Sequence, residues 1–281
     1  MLLRHAAIAV LCTAAVATAD AQWHNYPAAG IPRTKDGKPN LSAPTPRTAD
    51  GKPDLSGVWV TDGTPPEENE RLFPGVGDFA VPGDDPRVFN KFFMNVFAGY
   101  KNEDVPITPD KLPILLERAK TMGKDNPTSH CLPAGVPMGD LLPIPRRFIQ
   151  LSNLLVILYE GANPQRMIYL DGRKHVLEQP AWLGYSVGKW EGDTLVVDSR
   201  GFNDRTWLDA FGHPRTEAMH IVERYTRRDF GHVDVQMTFD DPGAYTKPFS
   251  IKFTQTLHPD TDVIESICNE NEKDRLHLDA K

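Results

Sequence analysis

The stretch GYSVGKWEGDTLVVD, Gly184 to Asp198, fits two local structures that lead to different folds. Its first five residues match G-x-S-x-G, in which a serine nucleophile lies on a sharp turn between a buried strand and a helix. A helix-forming segment should then follow. Instead, Lys189-Trp190 is followed by a Glu-Gly-Asp turn and a second apolar, β-branched run at 194–197, the order typical of a hairpin. We therefore predict that Ser186 is a side chain on a sheet and not the nucleophile of a hydrolase.

Short apolar runs separated by turn residues continue on both sides of this hairpin, from about residue 147 onward. In His232–Phe239, for example, apolar and polar residues alternate, which indicates a strand that buries one face. The predicted strands are Arg147–Leu151, Leu154–Tyr159, Arg166–Leu170, Tyr185–Trp190, Thr194–Ser199, Glu217–Arg227, His232–Phe239, Phe249–Leu257 and Val263–Cys268. Together with a strand at Trp59, they predict a mainly β fold, an antiparallel meander of about ten strands. Closure into a barrel would leave no strand edge unpaired.

A two-helix insertion is predicted before the main sheet, at about 84–123. Asp85-Pro86 begins the first helix, and Thr108-Pro109 supplies a cap and a first-turn proline for the second. Each helix carries an apolar stripe that we interpret as a packing surface. The stripes are Val88, Phe89, Phe92, Phe93, Val96 and Phe97 in the first helix and Leu112, Leu115, Leu116, Ala119 and Met122 in the second.

The N-terminal residues predict an exported protein with an extended arm. Residues 1–21 combine a basic start, a short apolar run and Ala19-Asp20-Ala21, the pattern of a cleaved signal peptide. Residues 22–55 contain the tandem repeat RTKDGKPNLSAP and RTADGKPDLSGV, too poor in apolar residues to form a core of its own. We expect this proline-rich arm to wrap over the surface of a barrel domain at 56–281.

The composition narrows the classes of ligand and partner. A net charge of -7 without any basic run argues against nucleic acid, and no later segment predicts a membrane span. Cys131 and Cys268, the two cysteines outside the signal peptide, are predicted to form a disulfide in an oxidising compartment. Shared metal ligation is the alternative, but no histidine or cysteine spacing supports it. We predict no metal, and no nucleotide cofactor because the glycine-rich phosphate motifs are absent.

Two segments carry most of the candidate site residues. The first, GFNDRTWLDAFGHPRTE at 201–217, is either an exposed loop of solvated charges or a lid across the barrel mouth. The second is the predicted strand Glu217–Arg227, which carries ionisable groups on both faces, with Glu223 on one and His220 and Arg224 on the other. Whichever face is buried supplies a candidate acid, base or ligand anchor, unless it forms a structural ion pair.

Four stretches resemble a family of secreted bacterial proteins of uncharacterised activity. They are DGKPDLSGVW, GYSVGKWEGDTLVVD, GFNDRTWLD and CNENEKD, beginning at Asp50, Gly184, Gly201 and Cys268. A wider resemblance to lipocalin-like barrels rests on Gly57-Val58-Trp59 and the series of hairpins. It implies a cup for an apolar small molecule, with the indole closing one end of the barrel.

Three functions are consistent with these features. The leading hypothesis is an exported barrel, periplasmic or secreted, that binds an apolar or aromatic small molecule in its interior. The expected ligand contacts are Tyr185, Arg205, Trp207, His220 and Arg224. A second hypothesis is a cofactor-independent hydrolase, lyase or isomerase with His220 as general base and Asp204 or Glu223 as its acid. A third is a cell-envelope interaction module that binds its partner through the arm.

Overall fold

The protein is described from a computed structural model at residues 28–74, 89–121, 123–176, 179–268 and 270. Several predicted features lie wholly or partly outside these residues. They include the signal peptide at 1–21, residues 22–27 of the arm, the Asp85-Pro86 start of the first helix with Val88, Met122 of the second helix, and most of the CNENEKD stretch.

The fold is a closed barrel of nine strands, which confirms the predicted mainly β class and its closure. The strands are β1 Gly57–Thr61, β2 Arg146–Gln150, β3 Leu154–Tyr159, β4 Arg166–Tyr169, β5 Tyr185–Glu191, β6 Thr194–Arg200, β7 His220–Arg227, β8 His232–Asp240 and β9 Phe249–Leu257. Neighbours in the chain are neighbours in the sheet, and β9 pairs with β1 to complete the ring.

The barrel departs from the predicted antiparallel ten-stranded meander in two places. First, β4 and β5 pair in parallel, because the long connection at 170–184 returns the chain to the end from which β4 started. Second, Val263–Cys268 is not a strand, so that prediction was wrong. Since β9 already pairs with β8 and β1, the closed ring offers this segment no free edge.

The opening stretch forms the predicted hairpin. β5 pairs with β6 over its whole length, Ser186 lies opposite Ser199, and the turn is at Gly192 and Asp193. The glycines of the G-x-S-x-G pattern have structural reasons. A Cβ on Gly184 would lie 2.7 Å from the Arg200 carbonyl oxygen, and one on Gly188 would lie 2.7 Å from the Leu170 side chain inside the barrel.

The arm, residues 28–56, covers one end of the barrel, which we call the arm end. Each repeat copy folds into the same small turn, and its first arginine binds a barrel aspartate through two hydrogen bonds. Arg33 donates to Asp260 at 3.0 and 2.7 Å, and Arg47 donates to Asp193 at 2.9 and 2.6 Å. The arm also contributes the fully buried Leu55, whose carbonyl accepts from the Trp59 indole. The arm is therefore part of the core as well as a surface cover.

The opposite end, which we call the far end, is closed by helices and by the connection at 201–219. The helices are α1 Pro66–Leu72, α2 Lys91–Met94, α3 Leu112–Lys120 and α4 Met138–Leu141, with 3-10 turns at Asn102–Asp104 and Pro127–His130. Every residue of α4 is buried. By contrast, α3 buries none of its residues, and Leu112 and Leu116 are 41% and 55% exposed, so the packing surface predicted for this helix was wrong.

A disulfide joins Cys131 to Cys268, as predicted, and ties the end of the described chain to the segment before α4. None of the helices in the described ranges has the length and apolar character needed to cross a membrane.

Candidate functional site on the outer face of the barrel

Two histidines meet one aspartate on the outer face of the barrel, near the far end. Asp198 points outward from β6, since its neighbours Val197 and Ser199 are fully buried inside. Its Oδ2 lies 3.0 Å from Nε2 of His220 at the start of β7, and its Oδ1 lies 3.1 Å from Nε2 of His175 in the 170–184 connection. We call His175, Asp198 and His220 the outer-face site.

The contacts of His175 fix which of its nitrogens can act as a base. Nε2 of His175 is also 3.0 Å from the Asp198 carbonyl oxygen, and a carbonyl only accepts, so this nitrogen carries the hydrogen. In a neutral His175 the remaining nitrogen, Nδ1, is then the basic one. Nε2 of His220 meets both an acceptor, Asp198 Oδ2 at 3.0 Å, and a donor, Arg200 Nη2 at 3.3 Å. Within the described chain, neither Nδ1 atom has a hydrogen-bond partner.

The carboxylate between the two rings is held in its ionised form. Burial by itself raises the pKa of Asp198, but hydrogen bonds from Arg200 and His220 outweigh this effect and lower the pKa below its ordinary value. Arg200 Nε donates to Asp198 Oδ1 at 3.1 Å. The ionised Asp198 presents its negative charge to the rings of both His175 and His220.

Aromatic side chains adjoin the outer-face site. Tyr185, the first residue of β5, stacks on Tyr169 with ring centroids 5.2 Å apart and contacts the His175 ring edge to face. Arg173 lies 3.9 Å over the Tyr169 ring and is fixed there by Asp171. Beside them is a surface cavity lined by Asp171, Gly172, Arg173, Val176 and Tyr185. A planar molecule in this cavity would lie next to His175.

Of the residues predicted from the sequence, Tyr185 and His220 are brought together here. The ligand contacts that the leading hypothesis expected inside the barrel are not formed by these two residues, since both side chains point outward from the sheet. The carboxylate that pairs with His220 is Asp198, not the expected Asp204 or Glu223. His175 was not predicted as a site residue, because its neighbourhood depends on how the 170–184 connection folds back. The one local signal was the Asp171-Gly172 turn before it.

Glu223 points into the barrel, away from His220. Arg166 donates to both of its carboxylate oxygens, and the Tyr225 hydroxyl donates to Oε1 at 2.7 Å. The same guanidinium also donates to the hydroxyls of Ser186 and Ser199, at 3.1 and 2.9 Å through Nη2. We call these five residues the inner network. The sequence left a site role and a structural ion pair open for Glu223, and its full burial with a paired arginine fits the ion pair.

The other predicted site residues lie apart from the outer-face site. Trp207 is buried in the far-end connection beneath Arg118, whereas Asp204 and Arg205 are exposed on that connection, with Arg205 over the Trp182 ring. Arg224 is on the outer face but about 13 Å further along β7 than His220, where it pairs with Glu191.

The connection at 201–217 is mostly buried and closes the far end of the barrel. Of the two predicted forms, it is therefore closer to a lid across the barrel mouth than to an exposed loop of solvated charges. It also contains a second histidine–aspartate pair, with His213 Nδ1 2.6 Å from Asp209 Oδ2. Both side chains are buried and Asp209 accepts three backbone N–H groups, from Val96, Gly212 and His213. This pair fixes the shape of the connection.

No metal centre accompanies these groups: within the described residues, no three histidine, cysteine, aspartate or glutamate side chains are arranged to hold an ion. Comparison of the chain with protein-family models, with curated proteins and with solved structures finds no match. The site therefore has to be interpreted from its own geometry.

Proposed function

We propose that the protein binds a small aromatic molecule at the outer-face site and acts on it by acid–base catalysis. One observation carries the proposal: two imidazoles are held by one ionised carboxylate, and one of them, His175, contacts Tyr185 in the wall of an open cavity. Small-molecule sites combine an apolar or aromatic wall with a few converging polar groups. This location replaces the interior of the barrel, where the inner network and the buried apolar side chains occupy the space between the strands.

The arrangement supplies a general base for the hydrolysis of an ester or lactone. Nδ1 of a histidine takes a proton from water while the water oxygen attacks the carbonyl carbon. The imidazolium that forms is stabilised by Asp198, and it then returns the proton to the oxygen that leaves. His175 is adjacent to the cavity through its contact with Tyr185, and His220 shares the same carboxylate. Either ring can serve as the base, with the other keeping Asp198 in position.

The test measures both binding and turnover on a panel of aromatic esters and lactones, with phenyl acetate and dihydrocoumarin as probes. We expect hydrolysis above the buffer rate and a fall in kcat/KM of about 10²-fold or more when both histidines become alanine, the usual contribution of a general base. The conservative change Asp198→Asn should lower kcat more than it raises KM, because it removes the charge that stabilises the imidazolium.

His232 provides a matched control. It pairs with Asp229 at 2.7 Å and is as exposed as His220, at 24% of the side chain, but it lies at the arm end. His232→Ala should leave turnover unchanged. Binding of the probes without hydrolysis would reject the catalytic step and keep the binding site. Neither binding nor hydrolysis, or equal losses in His232→Ala, would reject the whole proposal.

We also propose that the protein functions outside the cytoplasm. The signal-peptide pattern at 1–21 and the disulfide between Cys131 and Cys268 both support this location, since disulfides persist in oxidising compartments. Fractionation of cells that produce the full chain tests it. Chain found in the reducing cytoplasm with residues 1–21 still attached would contradict export.

A further inference from the structure

A second cavity lies under the arm, on the side of the barrel formed by β1, β2 and the end of β9. Its volume is about 490 Å³, within the roughly 300 to 1,000 Å³ typical of small-molecule sites. Its walls are mainly apolar: Ile31, Pro46, Val58, Phe148, Ile149, Phe230, Leu257 and Pro259. We call this space the arm cleft. It is distinct from the outer-face site, which lies at the other end of the barrel.

The polar groups of the arm cleft are mostly committed to partners within the protein. Arg227 donates to the carbonyl oxygens of Asp54, Asp229 and Phe230, and Arg147 forms an ion pair with Asp262 at 2.6 Å. The Asp54 carboxylate, which also lines the cleft, accepts from the Ser56 backbone N–H at 2.8 Å. These contacts leave few groups able to bind a ligand.

The lining groups without a hydrogen-bond partner among the described residues include Nε of Arg147 and the imidazole of His258. Nε of Arg147 is buried and has no hydrogen-bond partner, and the His258 ring makes no hydrogen bond to any described residue. Both residues flank Val58: Arg147 is its partner across the sheet, and the His258 backbone N–H donates to its carbonyl oxygen at 2.8 Å. Two strand spacings separate their backbones by about 10 Å, a gap that long side chains can bridge through a small ligand group.

The chemistry of this pair selects the ligand. Nε of Arg147 can only donate a hydrogen bond, whereas a neutral imidazole also offers an acceptor nitrogen. Burial lowers the pKa of His258, so its ring is neutral at pH 7. A hydroxyl group can accept from the first and donate to the second. We infer that the arm cleft binds an apolar small molecule bearing a hydroxyl group, such as an alkylphenol, with the hydroxyl between Arg147 and His258.

The experiment compares three probes of similar size by titration calorimetry on the full mature chain. These are 4-propylphenol, its methyl ether 4-propylanisole, and propylbenzene. The ether can accept a hydrogen bond but not donate one, so it tests the contact with His258 alone. We expect the phenol to bind about five- to tenfold more tightly than the ether, the value of one hydrogen bond in a mostly apolar site.

His258→Leu should abolish the preference for the phenol and leave the affinity for propylbenzene in place. His130→Leu, which removes an exposed histidine elsewhere, should keep it. If His258→Leu fails to fold, Arg147→Met replaces it and should weaken binding of the phenol and the ether alike. Equal affinity for phenol and ether, a preference that survives His258→Leu, or no binding of any probe would overturn the inference.

Discussion

Removal of Glu223 from the inner network tests whether the barrel interior depends on charge pairing. The side chains of Arg166 and Glu223 are 2% and 0% exposed. Burial alone lowers the pKa of Arg166, but the charge and hydrogen bonds of Glu223 outweigh it and raise the pKa well above the ordinary value. Glu223→Leu therefore leaves a buried cation without its counter-charge. We expect this change to lower the free energy of unfolding by about 3 to 5 kcal/mol.

The double variant Arg166→Met/Glu223→Leu should recover most of that loss, because both charges are then replaced by apolar groups. The assay is urea unfolding at pH 7 with the disulfide intact. The quantity compared is the coupling energy of the double-mutant cycle formed by the natural chain, Arg166→Met, Glu223→Leu and the double variant. Arg224 and Glu191 form the matched control. They are an arginine–glutamate pair at 3.0 Å, but both are about 40% exposed, so their coupling should be about 0 to 1 kcal/mol. Additive effects at Arg166 and Glu223, or a loss below about 1 kcal/mol in Glu223→Leu, would refute the reasoning.

Three further predictions concern the arm, the disulfide and pH. Leu55→Ala should cost about 2 to 5 kcal/mol because the side chain is fully buried, and a melting temperature equal to that of the natural chain would show the arm to be detachable. Reduction of Cys131–Cys268, which are 137 residues apart, should cost up to about 5 kcal/mol, measured by unfolding with and without reductant; equal midpoints would contradict this. Because burial lowers the pKa of His258, folding stability should fall as the pH drops below about 6.5, and less so in His258→Gln; identical pH profiles would reject the assignment.

Much of the fold follows from local patterns. The hairpin around Ser186 was predictable because a turn of Glu-Gly-Asp between two apolar runs specifies its own conformation. The disulfide was predictable because only two cysteines, Cys131 and Cys268, lie outside residues 1–21. The parallel pairing of β4 and β5 was not predictable in this way. It depends on the path of the 170–184 connection, which has no regular periodicity.

The candidate site was predicted only in part. His220 and Tyr185 were identified from their residue types and from the mixed character of the β7 strand. Their position on the outer face was not, because a strand with ionisable groups on both faces does not show which one is buried. Burial of Glu223 is decided by Arg166, which lies three strands away around the barrel.

The sequence by itself determined that the chain forms a mainly β closed sheet with an arm at its N-terminal side and one disulfide. Alternating burial, turn chemistry and cysteine number are properties of neighbouring residues or of the composition. Only the tertiary structure decided that His175, Asp198 and His220 meet. Their contact requires the register between β6 and β7 and the return of the 170–184 connection. Residues far apart in the chain come within hydrogen-bond distance only when the whole sheet has closed, and no local pattern encodes that distance.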